Sequence, residues 1–251
     1  MTLSKNAENI LTIHCIRKEY FALPLNKYRL NFDDGLFSQY YYFPLLRRQE
    51  HELLYFISSA FIRPGPARKM FEGEYIPYKK SKKYMYRALI EDNYEDFMRI
   101  EELQELAQTE GVHIGVHSHF HDIILTRTHS QKRKPLSQWK MAHLGYPTIP
   151  EDLDFSIRSK LAFQGYYYRN GKFVRRSKSD WLDFIRYDTE NALQWFESHL
   201  GFVPETYCFP FGEHNQTLID ILKTFGLKYF YSARPGPYPE IQGRTDIDSL
   251  I

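Results

Sequence analysis

The chain has 251 residues, a formal net charge of +2 at pH 7 and 43% hydrophobic residues, with 17% aromatic. That composition is ample for the packed core of one large domain, and so small a net charge gives no general argument for nucleic-acid binding. The longest mostly apolar run, Leu53 to Ile62, falls far short of the ~20 residues that a bilayer span requires.

The N-terminus, MTLSKNAENILTIHC, has no long apolar region after a basic start. It does not read as a secretory signal, so a cytoplasmic location is expected. Short apolar runs then recur along the chain: NILTIHCI, YRLNFDDG, ELLYFISSAFI, VHIGVHSH, ETYCFPFG and LKYFYSAR read as strands. Between them EDFMRIEELQELAQTEG, DTENALQWFESHLG and NQTLIDILKTFG carry apolar residues at three- and four-residue spacing, each with a terminal Gly suited to a helix C-cap. Strand, helix, strand in repetition implies a parallel sheet covered by helices. Cys15 and Cys208 each sit in an apolar strand-like run and are expected as buried, reduced thiols.

Two insertions interrupt the rhythm, near 63–93 and 122–178. The second is basic, with twelve Lys and Arg against four Asp and Glu, and YYYRNGKFV within it predicts a hairpin turning at Asn170 and Gly171. The runs Lys132–Arg133–Lys134 and Arg175–Arg176–Lys178 are expected as a solvated basic face, with phosphate or membrane binding as the alternative. Tyr40 to Phe43 is expected to serve packing; Tyr166 to Tyr168 is open between packing and stacking on a sugar.

In parallel β/α architectures the chemistry gathers where strands end. Here the strand ends offer His14; Asp33, Asp34 and Gly35; His117, Ser118, His119 and His121; and Pro210, Phe211 and Gly212. Two adjacent carboxylates facing one buried cavity repel each other unless a cation compensates, and two imidazoles with one carboxylate are a common zinc set. A solvated turn and a plain strand end are the competing reading. Strand geometry would set His117 and His121 ~13 Å apart, whereas a helical turn would bring them to ~6 Å. The pair His117 and His121 therefore requires the chain to coil after Val116, and the pair His117 and His119 requires it to stay extended.

The motifs NFDDG, IGVHSHFHD and GFVPETYCFPFGEHNQTLIDILKTFGLKYFYSA, in that order, resemble the polysaccharide deacetylases, also called the NodB homology domain or carbohydrate esterase family 4. The resemblance spans most of the chain, apart from the two insertions. It implies a distorted TIM-like β/α barrel of about seven parallel strands, with 1–251 forming a single domain. It also implies a divalent metal, zinc in most members, held by Asp34, His117 and His121, with Asp33 as general base and the Phe211 N–H stabilising the oxyanion. The implied reaction is hydrolytic removal of an N-acetyl group from an amino sugar, lipid- or nucleotide-linked forms included, with Pro210, Gly212 and Arg244 on the substrate side. A deformylase or amidase of the same fold and a non-catalytic carbohydrate-binding relative are the rivals. Two departures stand out: Cys208 occupies the place of an Arg that pairs with the base, for which Arg244 is the candidate replacement, and the late Leu-x-His motif is missing. Exopolysaccharide deacetylases with a permuted order take that histidine from an N-terminal strand similar to ILTIHCI, which makes His14 the expected general acid.

Overall fold

The structure is a computed structural model and describes residues 10–47, 52–127, 138–144 and 155–251. The Lys132–Arg133–Lys134 run lies outside the described residues. The first elements are β1 (Ile10–Ile13), β2 (Arg29–Phe32), α1 (Phe37–Tyr41), α2 (Phe43–Arg47), β3 (Leu53–Ile57), α3 (Ser81–Ile90), α4 (Ile100–Ala107) and β4 (Val112–Val116). The second insertion follows with β5 (Ile123–Arg127), α5 (Gln138–His143), β6 (Phe155–Ser159), β7 (Tyr166–Arg169) and β8 (Lys172–Arg175). The chain then returns through α6 (Lys178–Leu200), β9 (Thr206–Cys208), α7 (Gln216–Thr224), β10 (Tyr229–Ser232), β11 (Ile241–Gly243) and β12 (Thr245–Asp246).

The main sheet is all parallel, in the order β11-β10-β9-β4-β3-β2-β1-β12. β11 pairs with β10 and β12 pairs with β1, and only Arg244 separates them. One interrupted strand thus joins both edges and closes the sheet into a TIM-like barrel; counted once, it makes seven strands of the eight. Side chains alternate between two cores as a period of two demands. Along β3, Leu54 and Phe56 face a small inner cluster with Ile10, Cys208 and Tyr231, while Leu53, Tyr55 and Ile57 join the outer core under the helices. Phe56 and Tyr231, on strands that are not neighbours, bring their rings to 5.1 Å across the interior. Burial on both faces is why these strands read as continuous apolar runs.

The second insertion carries a four-stranded antiparallel sheet, β6-β5-β7-β8. β7 and β8 form the expected hairpin, with Asn170 at φ 50° and Gly171 at φ 74°, the left-handed pair that a tight two-residue turn requires. The Arg175–Arg176–Lys178 run departs from a uniform solvated face. Arg176 is buried, and its guanidinium donates to the carbonyls of Lys160, Phe163 and Gln164, fastening the end of the insertion. Tyr40, Tyr42 and Phe43 are buried in the outer core. Among the described residues no helix is long and apolar enough to cross a membrane.

Two helices differ from their expected bounds. α4 starts at Ile100 rather than near Glu95, because Phe97 bridges Leu36 and Arg99 bridges Arg63, which keeps that stretch extended; Glu102 then accepts from the Arg99 N–H and starts the helix. α6 starts earlier than expected, where Ser177 caps it by accepting from the Asp180 N–H at 3.0 Å, and it ends at Gly201 with φ 76°. Cys15 and Cys208 are buried and free.

Candidate metal centre and active site

β4 stops at Val116, and the chain then coils rather than continuing as a strand. Ser118 (φ 66°) and His121 (φ 51°) both adopt the left-handed conformation, and Ser118 Oγ accepts from the His121 N–H at 2.8 Å. The turn brings both outer histidines onto Asp34: His117 Nε2 lies 3.5 Å and His121 Nε2 3.6 Å from Asp34 Oδ1. Two ligand atoms about 2.1 Å from a tetrahedral ion stand about 3.4 Å apart, so these separations fit a shared cation. His119 points elsewhere, with Nδ1 2.8 Å from Ser59 Oγ.

Asp34 reaches this position because the chain turns sharply after β2. Its φ is 75°, and Gly35 follows at 81°, where an added Cβ would meet Ile62 and Ile57 at 3.1 and 3.2 Å. Asp33 keeps the inward direction of Asn31, two residues earlier, and meets Arg244 from the break between β11 and β12. Both Arg244 Nη groups donate to the Asp33 carboxylate, at 2.7 and 2.8 Å, with both side chains buried. Burial pushes the Asp33 carboxyl up, but Arg244 and the nearby imidazoles outweigh it and hold the group well below the usual carboxylate range.

The imidazoles are poised in their neutral form. Burial lowers His117 despite Asp33 and Asp34, and lowers His121 to about 4. The His117 Nδ1–H donates to the Cys208 carbonyl at 2.9 Å, which leaves the Nε2 lone pair facing Asp34. A second cluster, Asp33, His117 and Cys208, also converges. It suits a cation less well, because Arg244 occupies both oxygens of Asp33 and burial pushes the Cys208 thiol well above its ordinary range. Asp34, His117 and His121 are therefore the group whose donor chemistry fits a divalent ion such as zinc.

His14 follows β1 with its side chain 41% exposed and Nε2 3.8 Å from Asp33 Oδ2. Phe211 lies in the turn Pro210–Gly212 with φ 60°, its ring 4.6 Å from that of His121. A cavity of about 470 Å³ at this end of the barrel is lined by His14, Asp33, Asp34, His117, His121, Phe211, Gly212 and Arg244. Pro210 is buried at the start of the turn. The strand ends named from the sequence are thus brought together at one mouth, with Arg244 committed to Asp33.

No family model matches the chain, and no curated protein matches it either. Solved structures do. The BpsB deacetylase domain from Bordetella bronchiseptica superposes with a TM-score of 0.57 at 18% identity, over 87% of this chain and 70% of that one. A de-N-acetylase from Aggregatibacter actinomycetemcomitans gives 0.57 at 16%, over 97% and 79%. IcaB from Ammonifex degensii gives 0.55 at 14%, over 95% and 91%. The chain has the polysaccharide deacetylase fold.

Within that fold, several residues at the mouth escaped the sequence reading. Asp188 on α6 is buried and accepts from the His119 and Phe120 N–H groups, both at 3.0 Å, which fixes the loop between His117 and His121. Burial pushes its carboxyl up to about 7 against the pull of these two bonds. Gln39 Nε2 donates to the backbone carbonyls of His14 (2.8 Å) and Asp33 (2.6 Å), tying β1 to β2 at the site. Lys82, Trp139 and Lys140, from the two insertions, complete the wall. The buried Asp three residues after Ile185, on the apolar face of α6, was the available signal for Asp188; nothing comparable marked Gln39 or Lys140.

Proposed function

We propose that the chain is a metal-dependent carbohydrate N-deacetylase of the polysaccharide deacetylase family, working as one domain whose two insertions shape the mouth. The observation that carries this is the meeting of Asp34, His117 and His121 around one point beside an arginine-clamped Asp33. The likeness to solved deacetylases supports it through the fold.

Asp34, His117 and His121 would hold the ion. When bound, a divalent cation, zinc suiting one carboxylate and two imidazoles, supplies Lewis-acid polarisation of the acetamide carbonyl and makes water a better nucleophile. Asp33 accepts the proton of the attacking water, whose oxygen bonds to the carbonyl carbon. Arg244 keeps Asp33 ionised and aimed. The Phe211 N–H would donate to the oxygen on which charge develops, with Pro210 and Gly212 fixing the turn. His14 gives a proton to the nitrogen as the C–N bond breaks, leaving acetate and a free amine.

The test is acetate release from N-acetylglucosamine oligomers by the metal-loaded protein. Chelation should stop it and added zinc should restore it. Formate release from formamido sugars without acetate release would favour the deformylase reading, and a metal-loaded protein that binds sugars without cleaving either would favour a non-catalytic relative.

A further inference from the structure

The two insertions meet over the candidate site. α3 of the first and α5 of the second pack around Tyr84, Met85 and Trp139, and both helices reach the cavity that holds Asp34 and its histidines. The charge on this wall is one-sided. Lys140 Nζ lies 5.1 Å from the centre of the Phe211 ring and 5.5 Å from that of Trp139. The Phe211 ring is itself in contact with His121, so one aromatic ring separates the ammonium from the ligand cluster. Lys82, at the start of α3, adds a second ammonium to the lining.

Among the described residues neither lysine has an ion-pair partner, and the carboxylates nearby are committed. Asp33 is clamped by Arg244, Asp34 faces two imidazoles, and Asp246 accepts from the Asp248 N–H. Glu213, whose charge acts on Lys140, gives one oxygen to Arg158 and the other to the Ser159 N–H. Burial accordingly pushes Lys140 below its ordinary range. A half-buried cation without a counter-charge is costly to keep, and in the wall of a binding cavity it is placed to meet a ligand anion.

We propose that Lys140, with Lys82, forms a subsite for an anionic group carried on or beside the N-acylated sugar, so that the substrate is an acidic glycan or sugar phosphate rather than a neutral one. The inference rests on the deacetylase reading for the identity of the sugar. Carboxylate and phosphate share the chemistry the lysines recognise.

The experiment is calorimetric titration of the zinc-loaded His14→Gln protein, which slows turnover while keeping the three ligands and the Asp33–Arg244 pair intact. The probes are N-acetylmuramic acid against N-acetylglucosamine, for the carboxylate, and N-acetylglucosamine 1-phosphate against methyl N-acetylglucosaminide, for the phosphate. At least one charged member should bind about tenfold tighter than its neutral partner, and which pair responds names the source. The advantage should shrink with salt, vanish in Lys140→Met, persist in Lys140→Arg and weaken in Lys82→Gln. Zinc content and melting temperature of Lys140→Met should match the parent protein. Equal affinities within both pairs, or an advantage that survives Lys140→Met, would overturn the proposal. Acidic sugars that bind through Lys140 but are not hydrolysed by the unsubstituted enzyme would keep the subsite and remove the deacetylase reading. Neutral sugars hydrolysed as fast as acidic ones would do the reverse.

Discussion

The two ends of the barrel handle the same backbone problem in opposite ways. Where the chain enters β4, β9 and β10, the left-handed positions Gly111, Gly201 and Gly226 are all glycine, the residue that adopts φ near 80° without steric cost. Where it leaves β2, β4 and β9, the left-handed positions include Asp34, Ser118, His121 and Phe211, each a strained choice for a residue with a Cβ. Both ends have a cavity, of about 350 Å³ at the entry end and about 470 Å³ at the exit end. Among the described residues only the exit end gathers one carboxylate and two neutral imidazoles around a point. Strain is relieved with glycine where the turn alone matters and is tolerated where the side chain itself is needed.

The contrast predicts that substitutions at the exit end read out in chemistry and those at the entry end in stability. Asp33→Asn should lower turnover by about 10² to 10⁴-fold with zinc retained, because it removes the proton acceptor without touching the ligands; steady-state kinetics with elemental analysis checks this. His14→Gln should cost on the order of 10²-fold in turnover, again with metal content and melting temperature unchanged. Full activity in that variant would make His14 a bystander. Asp188→Asn should weaken zinc affinity by about tenfold or more, since one side-chain N–H group would face a backbone N–H that now finds an acceptor.

Asp188 also links the exit end to pH. Folded, its carboxyl keeps a proton up to about 7, whereas an unfolded Asp releases it near ~3.9. The folded chain therefore binds more protons across that window, so this group's contribution to stability is full below about pH 4 and is lost as pH rises toward 7. His117 and His121, lowered by burial, act with the opposite sign over the same window, so the contribution is read as a difference: in denaturant titrations from pH 4 to 7 the stability of the parent protein relative to Asp188→Asn should fall as pH rises. At the entry end, Gly201→Ala should cost about 1 to 2 kcal/mol for placing a Cβ at φ 76°, with kinetics and zinc content untouched. A loss of activity there would blur the division between the ends.

Much of this was legible because strands buried on both faces still alternate in what they carry. Thr12 and His14, Asn31 and Asp33, and Gly115 and His117 place polar or small residues at one parity while apolar residues hold the other. That parity continues past the strand ends and points His14, Asp33 and His117 at the same mouth. The sequence left the coil after Val116 undecided, because a left-handed Ser118 and His121 depend on Asp188 holding the loop from a helix far along the chain. The start of α4 was misplaced since helical spacing cannot reveal bridges to Leu36 and Arg63. Closure of the barrel by a single strand broken at Arg244 was equally hidden, although the family resemblance names Arg244 as the candidate replacement for the arginine that pairs with the base. Lys140 lies in the six-residue α5, too short for its spacing to show a buried face.

The central claim is that Asp34, His117 and His121 share one ion while His119 does not. Elemental analysis of purified protein, with His117→Ala, His121→Ala and His119→Ala prepared alongside, tests it most directly. The account predicts about one equivalent of zinc in the unsubstituted protein and in His119→Ala, and loss of stoichiometric metal in the other two. Metal retained by His121→Ala and lost by His119→Ala would contradict it.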